Sequence, residues 1–199
     1  MEDLNKLDEL QYIKKVMQDS KRIVAEDGHS LIFWGILVTI GQLITFLVFY
    51  FNVFREYFVY VWPVLVLIGW VYSFYYNRKK YGNQQVHTFA GKILGAVWKS
   101  FGITATILGF VPAIFGAINN GSHINPLIGT VLGMAYFITG YIYGKKWITY
   151  LSFGWWIGSI FMFIFPNIYS LLIMSLLLIC LQIAPGIFLR IQYFKELKK

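Results

Sequence analysis

The residues from which acid–base and metal chemistry is built are nearly confined to one end of this chain. Of nine carboxylates, seven (Glu2, Asp3, Asp8, Glu9, Asp19, Glu26 and Asp27) precede residue 28, and the other 172 residues hold two glutamates and no aspartate. Proton relays, cation sites and most metal-dependent lipid chemistry inside a membrane rest on buried Asp or Glu, because so costly a charge is kept where it is used. Such mechanisms are disfavoured for the body of the chain. The sequence also has no Gly-x-Ser-x-Gly turn, no His-Glu-x-x-His and no Cys-x-x-Cys. His29, His87 and His123 are dispersed; Glu26, Asp27, His29 and His87 fall on one predicted side of the membrane and could gather there, but without the paired spacing of metal ligands. The expectation is a protein that is not an enzyme and takes no metal and no cofactor.

The remaining polar chemistry is neutral. Gln42 and Gln182 are candidates to hydrogen-bond each other or a solute, and an interhelical Gln commonly serves to cross-link helices. Lys99 is the one charge expected below the headgroups. Its four-carbon stem can snorkel back to the interface, or its ammonium could meet an anionic solute or lipid phosphate.

The elements that must position these residues follow from composition. The chain is 58% hydrophobic, 20% aromatic and 13% charged, against roughly a quarter charged in soluble domains. A soluble domain is excluded, and Cys180 as the single cysteine excludes a disulfide-stapled fold. Six runs reach the about 20 apolar residues that a bilayer core requires: residues 31–51, 57–76, 93–118, 127–144, 147–165 and 169–189. They are continuously apolar rather than alternating, which predicts helices and not barrel strands. The third is overlong, so its start near Lys92–Lys99 is expected to project or tilt. The fold class predicted is all-α: a polytopic membrane protein with a six-transmembrane-helix bundle over residues 30–190.

Orientation follows from the basic residues, which are retained on the cytoplasmic side. Sixteen of seventeen fall on one side of the predicted topology, and only Arg55 falls on the other. Both termini are therefore expected in the cytoplasm, with residues 191–199 a basic tail. No cleavable signal peptide is expected, since the first apolar run starts at Leu31 after an acidic segment.

Residues 1–29 read as a cytoplasmic amphipathic helix of net charge −2. Leu10, Ile13, Met17, Ser20 and Val24, spaced 3, 4, 3 and 4 apart, form one narrow face. Lys15 with Asp19 and Arg22 with Glu26 are four-residue pairs on the other. Leu10, Ile13, Met17 and Val24 are the candidate docking residues for a protein partner or for a homo-oligomer. Folding back onto the protein's own basic links is the alternative. Nucleic acid is not an expected partner, because the bases sit at membrane boundaries; the lipid bilayer is.

Small residues supply the packing expectation. Gly129, Gly133, Gly140 and Gly144 lie within about 60° of one another on a helix, a smooth stripe that admits close backbone approach. Gly154 and Gly158 repeat the four-residue spacing, and Gly109 with Ala113 and Gly116 or Ala117 offers a third face. Spans three, four and five are expected to pack together, and Pro63, Pro112 and Pro185 to mark irregular helix.

The run Asp19-Ser20-Lys21 through Ala25-Glu26-Asp27-Gly28, the Phe33-Trp34-Gly35 that follows, Gly154-Trp155-Trp156-x-Gly158-Ser159 and Ala184-Pro185-Gly186 resemble small uncharacterised bacterial multi-helix membrane proteins. In those a short polar helix precedes a Trp-Gly pair at the start of the first span. The resemblance implies a bacterial cytoplasmic (inner) membrane and carries over no activity and no catalytic residues. Two functions are expected on these grounds: a non-enzymatic regulatory or scaffolding subunit docking through its amino-terminal helix, or a small transporter or channel for a neutral or anionic solute through the glycine-rich spans, using Gln42, Gln182 and Lys99.

Overall fold

Helix length follows from where the apolar runs meet residues that can close a helix, and two of the described helices end on left-handed residues. In the computed structural model, which describes residues 28–81, 89–115 and 123–197, Gly28 (φ 64°) precedes α1 (His29–Phe51), and Asn52 (φ 56°) ends it. The amides of Asn52 and Val53 both return to Val48 O, the latter at 3.2 Å, which satisfies a carbonyl the helix would otherwise leave open. A 3-10 turn (Arg55–Tyr57) leads into α2 (Phe58–Tyr81), followed by α3 (Phe89–Ile114), α4 (Ile124–Tyr143) and α5 (Lys146–Ile164). The sixth span is composite: α6 (Ser170–Leu178), a π-helical segment (Ile179–Ile183) and α7 (Ala184–Leu197).

Six helices are long and apolar enough to cross a membrane: His29–Phe51, Arg55–Tyr76, Ala90–Pro112, Ile124–Tyr143, Lys146–Ile164 and Ser170–Lys195. The described residues are all-α, without strands. Residues 1–27, with Leu10, Ile13, Met17 and Val24, lie outside the described residues, as do His87, Gly116 and Ala117.

Several boundaries differ from the sequence reading, and α2 runs to Tyr81 instead of 76. α4 starts at Ile124 instead of 127, because Pro126 has no N–H to lose in a first turn and its fixed φ suits one. Asn125, read as part of an outer link, is thereby helical and buried. The third span is helical from Phe89 without a break through Lys92–Lys99. The basic tail is helical as far as Leu197, continuing α7.

The packed centre is formed by α1, α4, α5 and the sixth span. Trp155 and Met162 (both fully buried), Tyr136, Met174 and Leu178 interlock with Leu31, Leu132, Ile148 and Leu189. Only 6% of the second and third spans is buried, against 39% of the first and 44% of the fourth. α2 rests on α1, and α3 on α4. Of the expected cluster of spans three, four and five, α4 packs on both α3 and α5, whereas α5 also packs on α6 and α3 touches α2 through Trp70 on Gly102. Gly109, on its proposed small face, has nothing within 4 Å of where a Cβ would stand.

Where glycines do matter, they seat tryptophans and backbone. A Cβ on Gly133 would overlap the Trp156 indole of α5 (Cε2 at 2.9 Å), one on Gly140 would lie 2.9 Å from Thr149 Cα, and Gly129 faces Ser159. Gly154 and Gly158 turn to Leu181 and Leu177 of the sixth span. Gly144 differs from its stripe: it is the left-handed C-cap of α4 (φ 62°), open on all sides, with Lys145 N–H bonded to Gly140 O at 3.1 Å. The same seating recurs elsewhere, with Trp34 on Gly69, Trp62 on Gly41 and Trp70 on Gly102. In lipid, where no hydrophobic drive joins helices, such shape fitting and hydrogen bonds supply the association energy.

Candidate functional site

A polar seam runs the length of α1 and ties it to four neighbouring elements. At its first turn, His29 Nε2 meets the Tyr72 hydroxyl of α2, while His29 Nδ1 lies 3.1 Å from Arg190 Nη1 of α7. Arg can only donate, so Nδ1 is the acceptor and Nε2 carries the hydrogen offered to Tyr72. Phe33 stacks on Tyr72 (centroids 3.9 Å) and Tyr76 on His29 (4.5 Å), fixing the ring. Beside this cluster Gly28 and Gly186 meet backbone to backbone: a Cβ on Gly186 would lie 3.1 Å from Gly28 O. No side chain fits between them.

One turn further, the π segment reaches α1. Pro185 lacks the N–H that would bond to Leu181 O and its ring crowds that carbonyl. Ala184 N–H bonds to Ile179 O, five residues back, and the widened turn carries Gln182, 5% exposed, whose Nε2 donates to Leu31 O at 3.3 Å. Gly35 lies against Ile183 and Gln182, and a side chain there would overlap Ile183. Trp34 Nε1 donates to Ser73 Oγ of α2 at 2.9 Å.

Deeper in α1, Gln42 is 2% exposed and pairs with Asn125 of α4: Gln42 Nε2 donates to Asn125 Oδ1 at 2.9 Å, and Asn125 Nδ2 returns to Gln42 Oε1 at 3.3 Å. Trp62 Nε1 of α2 then donates to Thr45 Oγ1 at 3.1 Å, while Thr45 donates to Gly41 O. The two glutamines considered as mutual partners therefore bond elsewhere, Gln42 to α4 and Gln182 to the α1 backbone. Their positions in the bilayer explain this, since Gln182 sits level with the first turn of α1 and Gln42 about 11 residues, roughly 16 Å, deeper. Lys99 is exposed on α3 and takes no part in the seam.

The interior beside the seam is nearly filled. The enclosed space between α1, α3, α4, α5 and α7 has a volume of about 10 Å³, lined by Trp98, Tyr136, Thr139, Trp147, Ile148 and Leu189 among others. That is room for about one water molecule. Trp98 Nε1 is buried there without a hydrogen-bond partner among the described residues. Among the described residues no group of three or more His, Cys, Asp or Glu could hold a metal ion.

Sequence reasoning found Gln42, Gln182 and the glycines as polar and small positions but missed Asn125, His29 with Tyr72, and the Trp-on-Gly contacts. Only Pro126 signalled that Asn125 begins a helix. Fold and site together describe a multi-pass α-helical membrane protein organised around its first helix. No known protein family, curated protein or solved structure matches the chain.

Proposed function

We propose that the protein is a non-enzymatic regulatory or scaffolding subunit of a bacterial cytoplasmic membrane. Both termini face the cytoplasm, and the protein docks a partner or a second copy through Leu10, Ile13, Met17 and Val24. The observation that carries the reading is the seam on α1. The helix that continues directly from the acidic amino-terminal segment is the one hydrogen-bonded to α2, α4, the π segment and α7. The segment joins the bundle at Gly28 and His29, where α1 is tied to α2 and α7, which suits a docking element better than a free tail.

Purifying the full chain and a form lacking residues 1–27 tests this. The expected result is loss of a co-purifying protein or a smaller oligomer on truncation, with helix content otherwise retained. An unchanged assembly refutes docking. Cysteine accessibility at Ser30 and Lys195 in intact cells checks the orientation, and labelling from outside would reverse it.

A second reading, a small transporter or channel, draws on the π segment, because broken helices with a buried polar side chain occur at transporter sites. Its test is solute flux in liposomes: flux abolished in Gln42→Leu and Gln182→Leu forms supports it, and flux unaffected by either eliminates the path.

A further inference from the structure

α2 carries a second feature, which shares only Tyr72 with the seam. Its outward face holds an open groove of about 430 Å³ lined by Leu67, Ile68, Val71, Tyr72 and Tyr75. Leu67 and Tyr75 are each 65% exposed and Val71 61%. Arg78 and Lys79 follow on α2, both exposed. At about 100° per residue all seven side chains fall within an arc of about 140°, with Tyr75 near its centre and the two cations on either side of it. From Leu67 to Lys79 the rise is roughly 18 Å, and from Leu67 to Tyr75 roughly 12 Å. One leaflet of the hydrocarbon core is about 15 Å deep. The apolar part of the face therefore matches one leaflet, and the cations stand at headgroup level.

We propose that this face is a binding site for an anionic phospholipid, with an acyl chain along Leu67, Ile68, Val71 and Tyr75 and the phosphate held by Arg78 and Lys79. Charge and geometry select this occupant. A phosphate accepts several charge-assisted hydrogen bonds from an Arg–Lys pair, and a neutral lipid gives those cations nothing that bulk headgroups do not. A second copy packed two-fold on the same face would set Arg78 and Lys79 beside their own counterparts, a like-charge contact that costs binding. The site stays open because α2 leans on α1 mainly with its other side, Tyr72 lying at the boundary between the two, and touches α3 through Trp70 on Gly102.

Native mass spectrometry of the full chain in detergent, titrated with phosphatidylglycerol and with phosphatidylcholine of the same acyl chains, tests the assignment. Each cation is expected to contribute about fivefold, so wild type should prefer phosphatidylglycerol by about 25-fold. R78Q/K79Q should lose that preference and R78K/K79R should keep it. V71W, which fills the groove and leaves both charges in place, should lower phosphatidylglycerol binding without altering helix content. Equal binding of the two lipids by wild type overturns the proposal, as does a preference that survives R78Q/K79Q or phosphatidylglycerol binding that V71W leaves unchanged. A change of oligomeric state in V71W with lipid binding intact also overturns it, in favour of a second copy.

Discussion

Gln42 and Asn125 exchange both of their side-chain hydrogen bonds across α1 and α4, at 2.9 Å and 3.3 Å, with each residue buried. Truncating either one leaves the other amide unsatisfied in a medium without water, at a cost of about 1–3 kcal/mol. Gln42→Leu and Asn125→Leu should each lower unfolding stability in micelles. The double variant should recover part of the loss, giving a coupling of about 0.6–1.7 kcal/mol in a double-mutant cycle. Strict additivity would mean the pair is not formed.

The glycines of α4 should separate by location and not by residue type. Gly140→Ala drives a methyl into the backbone of Thr149, an overpacking worth about 1–3 kcal/mol. Gly144→Ala has space but a left-handed φ of 62°, costing about 1–2 kcal/mol. Gly109→Ala, in α3 with nothing near it, should be neutral or mildly stabilising. Thermal unfolding of the three variants in one detergent ranks them; equal losses would contradict the packing described.

Pro185 and Gln182 should behave as one unit. Pro185→Ala restores the missing N–H, removes the reason for the π turn and withdraws Gln182 from Leu31 O. Having lost that contact, the protein should respond little to a further Gln182→Leu change. A cycle between the two substitutions is expected to show non-additivity of at least about 0.5 kcal/mol.

His29 should hold a single tautomer. Because Arg190 offers only donors to Nδ1, nitrogen-15 spectra of the imidazole at neutral pH should report the hydrogen on Nε2. Replacing Arg190 with Gln should relax that preference, and a spectrum showing Nδ1–H in wild type would refute the arrangement.

Much of this fold was legible in the chain, because bilayer thickness sets how long an apolar run must be and six runs meet it. The direction each helix faces was not legible. Helices apolar nearly all round, such as α2 and α5, carry no periodic signal of which side is buried, so neither Trp62 on Gly41 nor Trp156 on Gly133 could be anticipated. The glycine spacing of α4 located a contact face, but could not name α5 as what it meets or show that Gly144 caps the helix. Asn125 was read as a loop residue beside Asn119 and Asn120. Gln182 was visible as a polar residue and Pro185 as a mark of irregular helix, but that the widened turn aims Gln182 at Leu31 O depends on which helix lies opposite.

The seam also sets an order of assembly. In synthesis from the amino end, α1 precedes the other five spans, and its partners in α2 come soonest, Ser73 for Trp34 and Trp62 for Thr45. The amide of Gln42 must wait 83 residues for Asn125, and His29 must wait 161 for Arg190. The earliest of these six spans is thus among the last to have its polar groups satisfied, and an α1–α2 hairpin stranded without its later partners would present Gln42 as a mark of incomplete membrane assembly.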